Sequence, residues 1–533
     1  MAGPVASREF LVALAALAVL AAGVLGGHVA EGGFLSDDFT NAAKASAGSG
    51  LAGPLLSYRP GHAVALALAH ELLGPTPFAH LALALALAVM TSACLFALLR
   101  SVGLGRVGAG ACAALLLLFP FSDATRLWAT GAAVSVALLL VLLGALAALR
   151  GLRRRDPVLH VAATALYVTG TLTYEVVGPV VLGSVLLYRS QAPWPRGARR
   201  GAVDALAVGA ALAFVAWRTP RVVRPTEEWP GRAQQLAGEG LDLLAMAVAP
   251  LAGWPASAVA MFLGAAAVVG VPLALSRAVR TRAPWPDGLT RPLVTAAAGA
   301  FVVVSGYALF VPAGDAYTPL AQGLANRVNA VAAPGFVLLV WAGAELAAWA
   351  LLGPAGAGRR GRRQSALAAI GCLAVGVAYA GEVREDGATY RRAVAMQAGV
   401  LDPIRAGALP SGSRVYAFGE PVYAAPGVPV FRHWDMAAAA ALAVGDPRTA
   451  AYPLYPGTRL SCGPRAVRPD GPSLGAAQES AYGSAFLLDA RSARLTAVAG
   501  PRDCRRKRSR ARPGPWLAGA DVTTLTAGAA PAP

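Results

Sequence analysis

Two adjacent aspartates, Asp37 and Asp38, follow the first long apolar segment of the chain. A carboxylate can act as a general base on a hydroxyl group, and two neighbouring carboxylates can bind a divalent cation such as Mg²⁺ or Mn²⁺. Charged groups are costly beside apolar surface, which favours a chemical role for the pair. A cap on a helix that begins at Phe39 explains the same residues. The residue types leave both interpretations open.

Two further polar motifs occur near predicted membrane surfaces. Tyr58 and Arg59 lie in the same predicted loop as the aspartates, and Glu175 follows a short turn between two apolar segments. The planar guanidinium of an arginine suits a phosphate group, although contact with lipid headgroups is the alternative for Arg59. Glu175 is expected either to face the interior of a helical bundle or to cap a helix.

The composition predicts a polytopic, all-α membrane domain. The chain has 533 residues, of which 56% are hydrophobic and 14% are charged, whereas soluble proteins carry about 25% charged residues. Apolar blocks recur at the length that a membrane-spanning helix needs. We predict eleven spans, at 10–27, 78–99, 107–121, 131–149, 157–171, 175–188, 202–217, 255–276, 291–312, 329–352 and 365–380.

The distribution of arginine predicts the orientation of these spans. Arginines concentrate in alternate short loops, which is typical of cytoplasmic loops and argues against a nucleic-acid-binding surface. We therefore expect a multi-pass plasma-membrane protein with a cytoplasmic N-terminus, an uncleaved first span, and long outer loops at 28–77 and 218–254. The first of these loops contains a short apolar stretch that reads as a helix at the membrane interface.

The composition changes after residue 380. Short strand patterns and glycine- and proline-rich turns predict a small extracytoplasmic α/β domain over 381–500, followed by a tail at 501–533 that is basic, then rich in alanine, glycine and proline, and disordered. The domain contains the motif FRHWD at 431–435, which suits either a sugar site or a packed turn. Cys462 and Cys504 could pair in an oxidising compartment; Cys94, Cys112 and Cys372 are expected to be buried in spans.

The acidic pair after span one, the interfacial helix, the Arg-Pro motif, about eleven spans and an outer C-terminal domain together resemble the GT-C superfamily. These membrane glycosyltransferases use polyprenyl-phosphate sugars, and protein mannosyltransferases and the lipid A aminoarabinose transferase belong to them. The resemblance covers roughly residues 1–380 in architecture. The high alanine, arginine and glycine content is typical of GC-rich genomes, such as those of actinobacteria.

The resemblance implies roles for individual residues. Asp37 or Asp38 would be the catalytic base or a metal ligand, and Glu175 would be the acidic residue of a later outer loop. Arg59, together with Tyr58, would bind the donor phosphate, with His62 and Arg327 as alternatives; Arg327 could equally be a flanking membrane anchor. Some relatives carry a lysine before the glutamate, where this chain has Tyr174.

The implied reaction transfers a sugar from a polyprenyl-phosphate donor to an extracytoplasmic hydroxyl on a glycan, lipid or protein of the cell envelope, with inversion. Two other classes stay open. A transporter or flippase of lipid-linked sugars would need charges at the membrane midplane and symmetric halves, and neither is evident in the sequence. A non-catalytic envelope scaffold, including a degenerate transferase, fits the same architecture.

Overall fold

The computed structural model describes residues 4–47, 56, 58–219, 225–248, 290–313, 317–352, 359–470 and 479–518. The seventeen helices of these residues are α1 (Pro4–Glu31), α2 (Asp37–Ser46), α3 (Pro60–Leu73), α4 (Pro77–Ser101), α5 (Arg106–Leu118), α6 (Ala124–Leu127), α7 (Ala132–Arg154), α8 (Pro157–Thr173), α9 (Gly178–Leu182), α10 (Ser184–Tyr188), α11 (Trp194–Arg218), α12 (Trp229–Val248), α13 (Thr290–Ala308), α14 (Ala333–Leu352), α15 (Arg359–Ala406), α16 (His433–Val444) and α17 (Pro501–Arg508).

Short 3₁₀ segments connect several of these helices, and nine strands follow α15 in the described residues. The 3₁₀ segments are Pro120–Ser122, Glu175–Val177, Thr226–Glu228, Leu324–Ala330 and Tyr482–Ser484. The strands are β1 (Arg414–Phe418), β2 (Tyr423–Ala425), β3 (Val428–Pro429), β4 (Ala450–Pro453), β5 (Arg459–Cys462), β6 (Ala466–Asp470), β7 (Ser480–Ala481), β8 (Ala485–Asp489) and β9 (Arg494–Ala497).

Within the described residues, seven helices are long and apolar enough to cross a membrane: α1, α4, α7, α11, α13, α14 and α15. The predicted multi-pass helical class is therefore confirmed, although several of the eleven spans differ. The span predicted at 107–121 is the 13-residue α5, which at 1.5 Å per residue is only about 20 Å long. The span at 175–188 is broken into a 3₁₀ turn, α9 and α10. The span at 255–276 lies outside the described residues.

Polar contacts join loops that were predicted to lie on the same side of the membrane. On the predicted inner side, Glu9 pairs with Arg100 at 3.3 Å and also with Arg106, and Gln191 bonds to the Ser101 carbonyl at 3.1 Å. On the predicted outer side, helix α2 contacts both α3 and the C-terminal domain. Each set of contacts joins loops of one predicted side only, as expected when successive loops alternate between the two sides of a membrane.

Helix α15 continues without a break across the predicted boundary at 380. It has 48 residues, about 72 Å at 1.5 Å per residue, more than twice the roughly 30 Å of a bilayer core. Its second half, with Tyr390 and Ile404, shares one apolar core with Leu35 of the first loop and with Val415 of β1. The C-terminal domain is thus packed on the loop that carries the aspartates, rather than tethered to it by a linker.

The C-terminal domain contains the predicted strands and helix. Its main sheet has the order β4-β1-β8-β9, with β4, β1 and β8 parallel and β9 antiparallel. Cys462 and Cys504 form a disulfide, while Cys94, Cys112 and Cys372 are buried thiols, as predicted. Residues Pro501–Arg508 form α17, so the expectation of disorder from residue 501 is wrong there: the disulfide holds the basic segment against β5. Residues 519–533 lie outside the described part.

Candidate active site

Asp38 is a buried, fully engaged carboxylate. Its side chain is 2% exposed. Its Oδ2 accepts a hydrogen bond from the Leu35 N–H at 3.1 Å, and its Oδ1 accepts from the Thr130 N–H at 2.8 Å and the Thr130 hydroxyl at 2.5 Å. Burial raises the pKa of Asp38 to about 7, against the opposing effect of these donors. The geometry suits a residue that fastens the first outer loop to the segment before α7.

Asp37, at the first residue of α2, lies in a different environment. It is only partly buried, and its Oδ1 accepts a hydrogen bond from the indole N–H of Trp434 at 3.1 Å. Trp434 stands at the start of α16 in the C-terminal domain and is 41% exposed. The position at a helix N-terminus favours a negative charge. Of the two aspartates, Asp37 is therefore the one that an external hydroxyl can reach.

The two aspartates do not converge on a shared cation site. Both oxygens of Asp38 accept bonds within the protein, whereas Asp37 is directed to Trp434. Across the described ranges, no group of three or more histidine, cysteine, aspartate or glutamate side chains could hold a metal ion. A divalent cation prefers at least six oxygen ligands, or a few carboxylates with its own waters and phosphates. The two aspartates alone therefore do not form a complete cation site, and the expected Mg²⁺ or Mn²⁺ stays a prediction.

Arg59 and Glu175 form a bidentate ion pair. The guanidinium Nε and Nη2 of Arg59 donate to the two carboxylate oxygens of Glu175 at 2.8 and 2.7 Å. Both side chains are largely buried, and the Tyr174 ring lies 5.3 Å from the guanidinium carbon. The pair joins the start of α3 to the end of α8, where Gly61 packs so closely on Thr173 that a Cβ would clash. Arg59 and Glu175 are thus each other's partner.

Tyr58 and His62 flank this ion pair. The Tyr58 ring lies 5.9 Å from the Arg59 guanidinium carbon. Both ring nitrogens of His62 are buried, and neither has a hydrogen-bond partner among the described residues. Burial, together with the nearby charge of Arg59, lowers the pKa of His62 to about 4, so that the ring is neutral at physiological pH. A neutral imidazole there can donate one hydrogen bond and accept another.

Arg327 is a partly buried cation in the 3₁₀ segment before α14. Its Nη1 donates to the Leu324 carbonyl at 2.8 Å, and its guanidinium carbon lies 5.2 Å from the Trp128 ring centre. Within the described part of the chain, Arg327 forms no ion pair. Trp128 in turn donates its indole N–H to the Leu35 carbonyl at 2.9 Å. Arg327 and the aspartate loop thus both contact Trp128.

A small cavity adjoins Asp38. It has a volume of about 40 Å³, enough for a few water molecules but too small for a sugar. Apolar residues of α3, α4 and α7 form most of its wall, with the side chains of Asp38, His70, His80 and Thr130 as polar members. The opposite face of α3 exposes Val64, Leu68 and Leu72, an apolar stripe at helical spacing that fits a helix at a membrane interface.

Sequence reasoning missed a buried polar cluster around Asp123. Its Oδ1 accepts a hydrogen bond from the Asn326 side-chain amide at 2.7 Å, and its side chain is fully buried. Burial and the neighbouring Asp386 carboxyl raise the pKa of Asp123 well above its usual range. Arg126, also buried, donates to the carbonyls of Leu116 and Phe119. The aspartate in the apolar context Phe121-Ser122-Asp123 was the available signal.

Comparison with known proteins finds a distant structural likeness. No protein-family model and no curated protein matches the sequence. The crystal structure of ArnT from Cupriavidus metallidurans in the apo state is 14% identical, and the match covers 83% of this chain and 85% of that one with a TM-score of 0.39. At this TM-score we draw no argument from the likeness.

Proposed function

We propose that this protein is a membrane glycosyltransferase that moves a sugar from a polyprenyl-phosphate donor to an acceptor hydroxyl, with inversion at the anomeric carbon. Asp37 is the general base and takes the hydroxyl proton as the acceptor oxygen bonds to that carbon. The bond from the anomeric carbon to the phosphate oxygen breaks, and polyprenyl phosphate leaves with the electron pair. Arg327 offsets the charge that develops on the phosphate.

One observation carries this proposal: the segment 128–130 contacts both the loop that bears Asp37 and the side chain of Arg327. Thr130 donates a hydrogen bond to Asp38, the neighbour of Asp37. Trp128 donates to the Leu35 carbonyl, and the Arg327 guanidinium lies over the Trp128 ring. One segment therefore contacts both the loop of a reachable carboxylate and an arginine that forms no ion pair among the described residues. Proton abstraction beside an anionic leaving group needs this pairing of charges.

Arg327 takes the phosphate-binding role in this proposal because Arg59 already forms an ion pair with Glu175. Breaking a buried bidentate pair would cost several kcal/mol, whereas Arg327 has no carboxylate partner to displace in the part of the chain that the structure describes. Arg59 and Glu175 are assigned a positioning role: they fix α3, whose apolar stripe would contact lipid close to the donor's polyprenyl tail.

The proposed topology places the N-terminus in the cytoplasm and the aspartate loop and C-terminal domain outside it. The bias of arginine towards alternate loops supports this orientation, and so does the disulfide, because such bonds persist in oxidising compartments. The acceptor would then be a glycan, lipid or protein of the cell envelope.

A substituted-cysteine labelling experiment at Ser411 and Arg154 tests this topology: only the cysteine at 411 should react from outside.

Mass spectrometry of lipid-linked sugars and envelope glycans, in cells with and without the gene, tests the activity. The proposal predicts that deletion removes one sugar from an envelope component and accumulates its polyprenyl-phosphate donor. An unchanged glycan profile together with an unchanged donor pool would refute it.

A non-catalytic scaffold is the second candidate, and the small cavity favours it. A volume of about 40 Å³ beside Asp38 leaves no room for a sugar, and Asp38 is fully engaged in holding the loop. The scaffold reading predicts that deletion disturbs the envelope but that Asp37→Asn restores it fully. Loss of restoration by Asp37→Asn, at normal protein level, would exclude it.

A further inference from the structure

Trp434 forms a polar and aromatic surface with Asp37 and Arg432. The indole N–H of Trp434 donates to Asp37 Oδ1 at 3.1 Å, and the Arg432 guanidinium carbon lies 5.2 Å from the Trp434 ring centre. Trp434 stays 41% exposed. Buried Asp435 fixes this turn, because its Oδ1 accepts from the Arg432 N–H at 2.6 Å. The three side chains therefore share one rigid site on the surface.

The mixture of groups matches the chemistry of a carbohydrate. A sugar ring has apolar C–H faces, which pack on an aromatic ring, and hydroxyl edges, which bond to carboxylates and guanidinium groups. Binding sites commonly combine an aromatic wall with a few placed polar groups. Here the wall is the exposed part of Trp434, and the polar groups are Asp37 and Arg432.

We propose that Trp434, Arg432 and Asp37 form a subsite that binds a sugar unit of the acceptor. The identification of this sugar as the acceptor rests on the proposed function, in which Asp37 is the general base. A sugar stacked on Trp434 would lie against Asp37, so one of its hydroxyls would meet the base. The acceptor would therefore be a glycan or glycolipid rather than an unmodified protein chain.

The contact also gives the C-terminal domain a role. Helix α16 packs against α2, and the Phe431 ring lies 5.9 Å from the Phe39 ring. These apolar contacts hold the tryptophan-bearing turn beside the aspartate. The helical bundle would handle the lipid-linked donor, while the C-terminal domain supplies acceptor recognition.

Saturation-transfer NMR tests the subsite without any donor. Full-length protein in nanodiscs is mixed with oligosaccharides of mannose, glucose, galactose or arabinose. At least one should receive saturation from the wild-type protein, and Trp434→Ala should weaken its binding by about tenfold or more, as loss of an aromatic anchor does. Trp434→Phe, which keeps a ring but lacks the N–H bond to Asp37, should retain most of the binding.

Trp217 provides the matched control. It is 78% exposed and has Arg218 over its ring at 5.5 Å, but within the described residues its indole has no carboxylate partner. Trp217→Ala should leave oligosaccharide binding unchanged. Three results would overturn the subsite: no saturation of any oligosaccharide, equal binding by wild type and Trp434→Ala, or equal loss in Trp434→Ala and Trp434→Phe. All three are independent of sugar transfer, so they are distinct from failure of the proposed function.

Discussion

Asp37 and Asp38 are neighbours in the sequence but differ in what they contact. Asp38 is buried and accepts three hydrogen bonds, whereas Asp37 reaches the surface beside Trp434. The sequence could predict that this pair matters, because charge next to an apolar segment is unusual. It could not assign the two roles, since Thr130 and Trp434 lie 92 and 397 residues away.

Asp38→Asn should destabilise the protein. The new side-chain N–H₂ would face a hydrogen-bond donor, either the Leu35 N–H or the Thr130 N–H and hydroxyl. That buried donor would lose its acceptor, at a cost of about 1–3 kcal/mol. Asp37→Asn, at a partly exposed position, should change stability by less than about 0.5 kcal/mol. Apparent melting temperatures in detergent compare the two variants. Equal melting temperatures would contradict the assignment of Asp38 as the fastening residue.

His62→Leu should make the protein less sensitive to acid. The pKa of His62 is lowered from 6.5 to about 4, by burial first and then by Arg59. A lowered folded-state pKa means that protonation favours the unfolded state, so stability is lost as the pH falls from about 6.5 towards 4. Leucine removes that loss and leaves no described partner unpaired, because neither His62 nitrogen has a hydrogen-bond partner in the described ranges.

The measurement for His62 is the apparent melting temperature at several pH values between 7.5 and 4.5. The groups with raised pKa, such as Asp38 and Asp435, act in the opposite direction, but they are common to both proteins and cancel in the difference. Parallel curves for wild type and His62→Leu would show that His62 is not the group that titrates.

Among the elements, α3 illustrates what a pattern can and cannot reveal. Its short apolar sequence predicted an interfacial helix, and the structure has a 14-residue helix with an exposed apolar stripe. The sequence predicted Arg59 at its start as a phosphate ligand. In the structure Arg59 pairs with Glu175, which lies 116 residues away. No local sequence pattern could reveal that this partner leaves Arg59 less available to a phosphate.

Single substitutions of the Arg59–Glu175 pair should be strongly destabilising. Arg59→Met or Glu175→Met leaves a buried charge without its partner, at a cost of about 3–5 kcal/mol. The double change to Arg59→Met and Glu175→Met removes both charges and should recover much of the loss. Melting temperatures of the four proteins form a double-mutant cycle. Additive losses in that cycle would mean that the two side chains do not form a pair.

Removal of the disulfide should destabilise the C-terminal domain. Cys462 and Cys504 are 42 residues apart, and closing a loop of that length in the unfolded chain is worth about 4 kcal/mol in the chain-entropy model. The double variant Cys462→Ser and Cys504→Ser should release α17 to proteolysis under native conditions. The buried Cys94→Ser is the control, and it should not alter cleavage near α17. Equal cleavage rates for wild type and the double variant would argue against the disulfide.

For the whole molecule, composition and helix length sufficed to predict a multi-pass helical protein with a separate strand-containing region. Spans that were long and apolar, such as α4 and α7, were predicted within a few residues. Helix α15 continues past the predicted boundary at 380 because it remains helical after its apolar part ends, supported by packing against α1 and α16. Such tertiary support is invisible in a local window of sequence.

The same long helix explains how the molecule brings its two regions together. Residues of α15, the aspartate loop and β1 share one core, so the C-terminal domain is fixed over Asp37. A bundle and a domain joined by a flexible linker could not hold Trp434 at hydrogen-bond distance from Asp37.

Whether Asp37 is the general base can be measured in deletion cells that express Asp37→Asn, as the ratio of polyprenyl-phosphate-linked sugar to its glycan product. Protein levels must match wild type, and the wild-type gene serves as the positive control. Asp37→Asn should accumulate the donor to the level of the deletion, because no base then removes the acceptor proton. A donor-to-product ratio equal to that of the wild-type protein would contradict it.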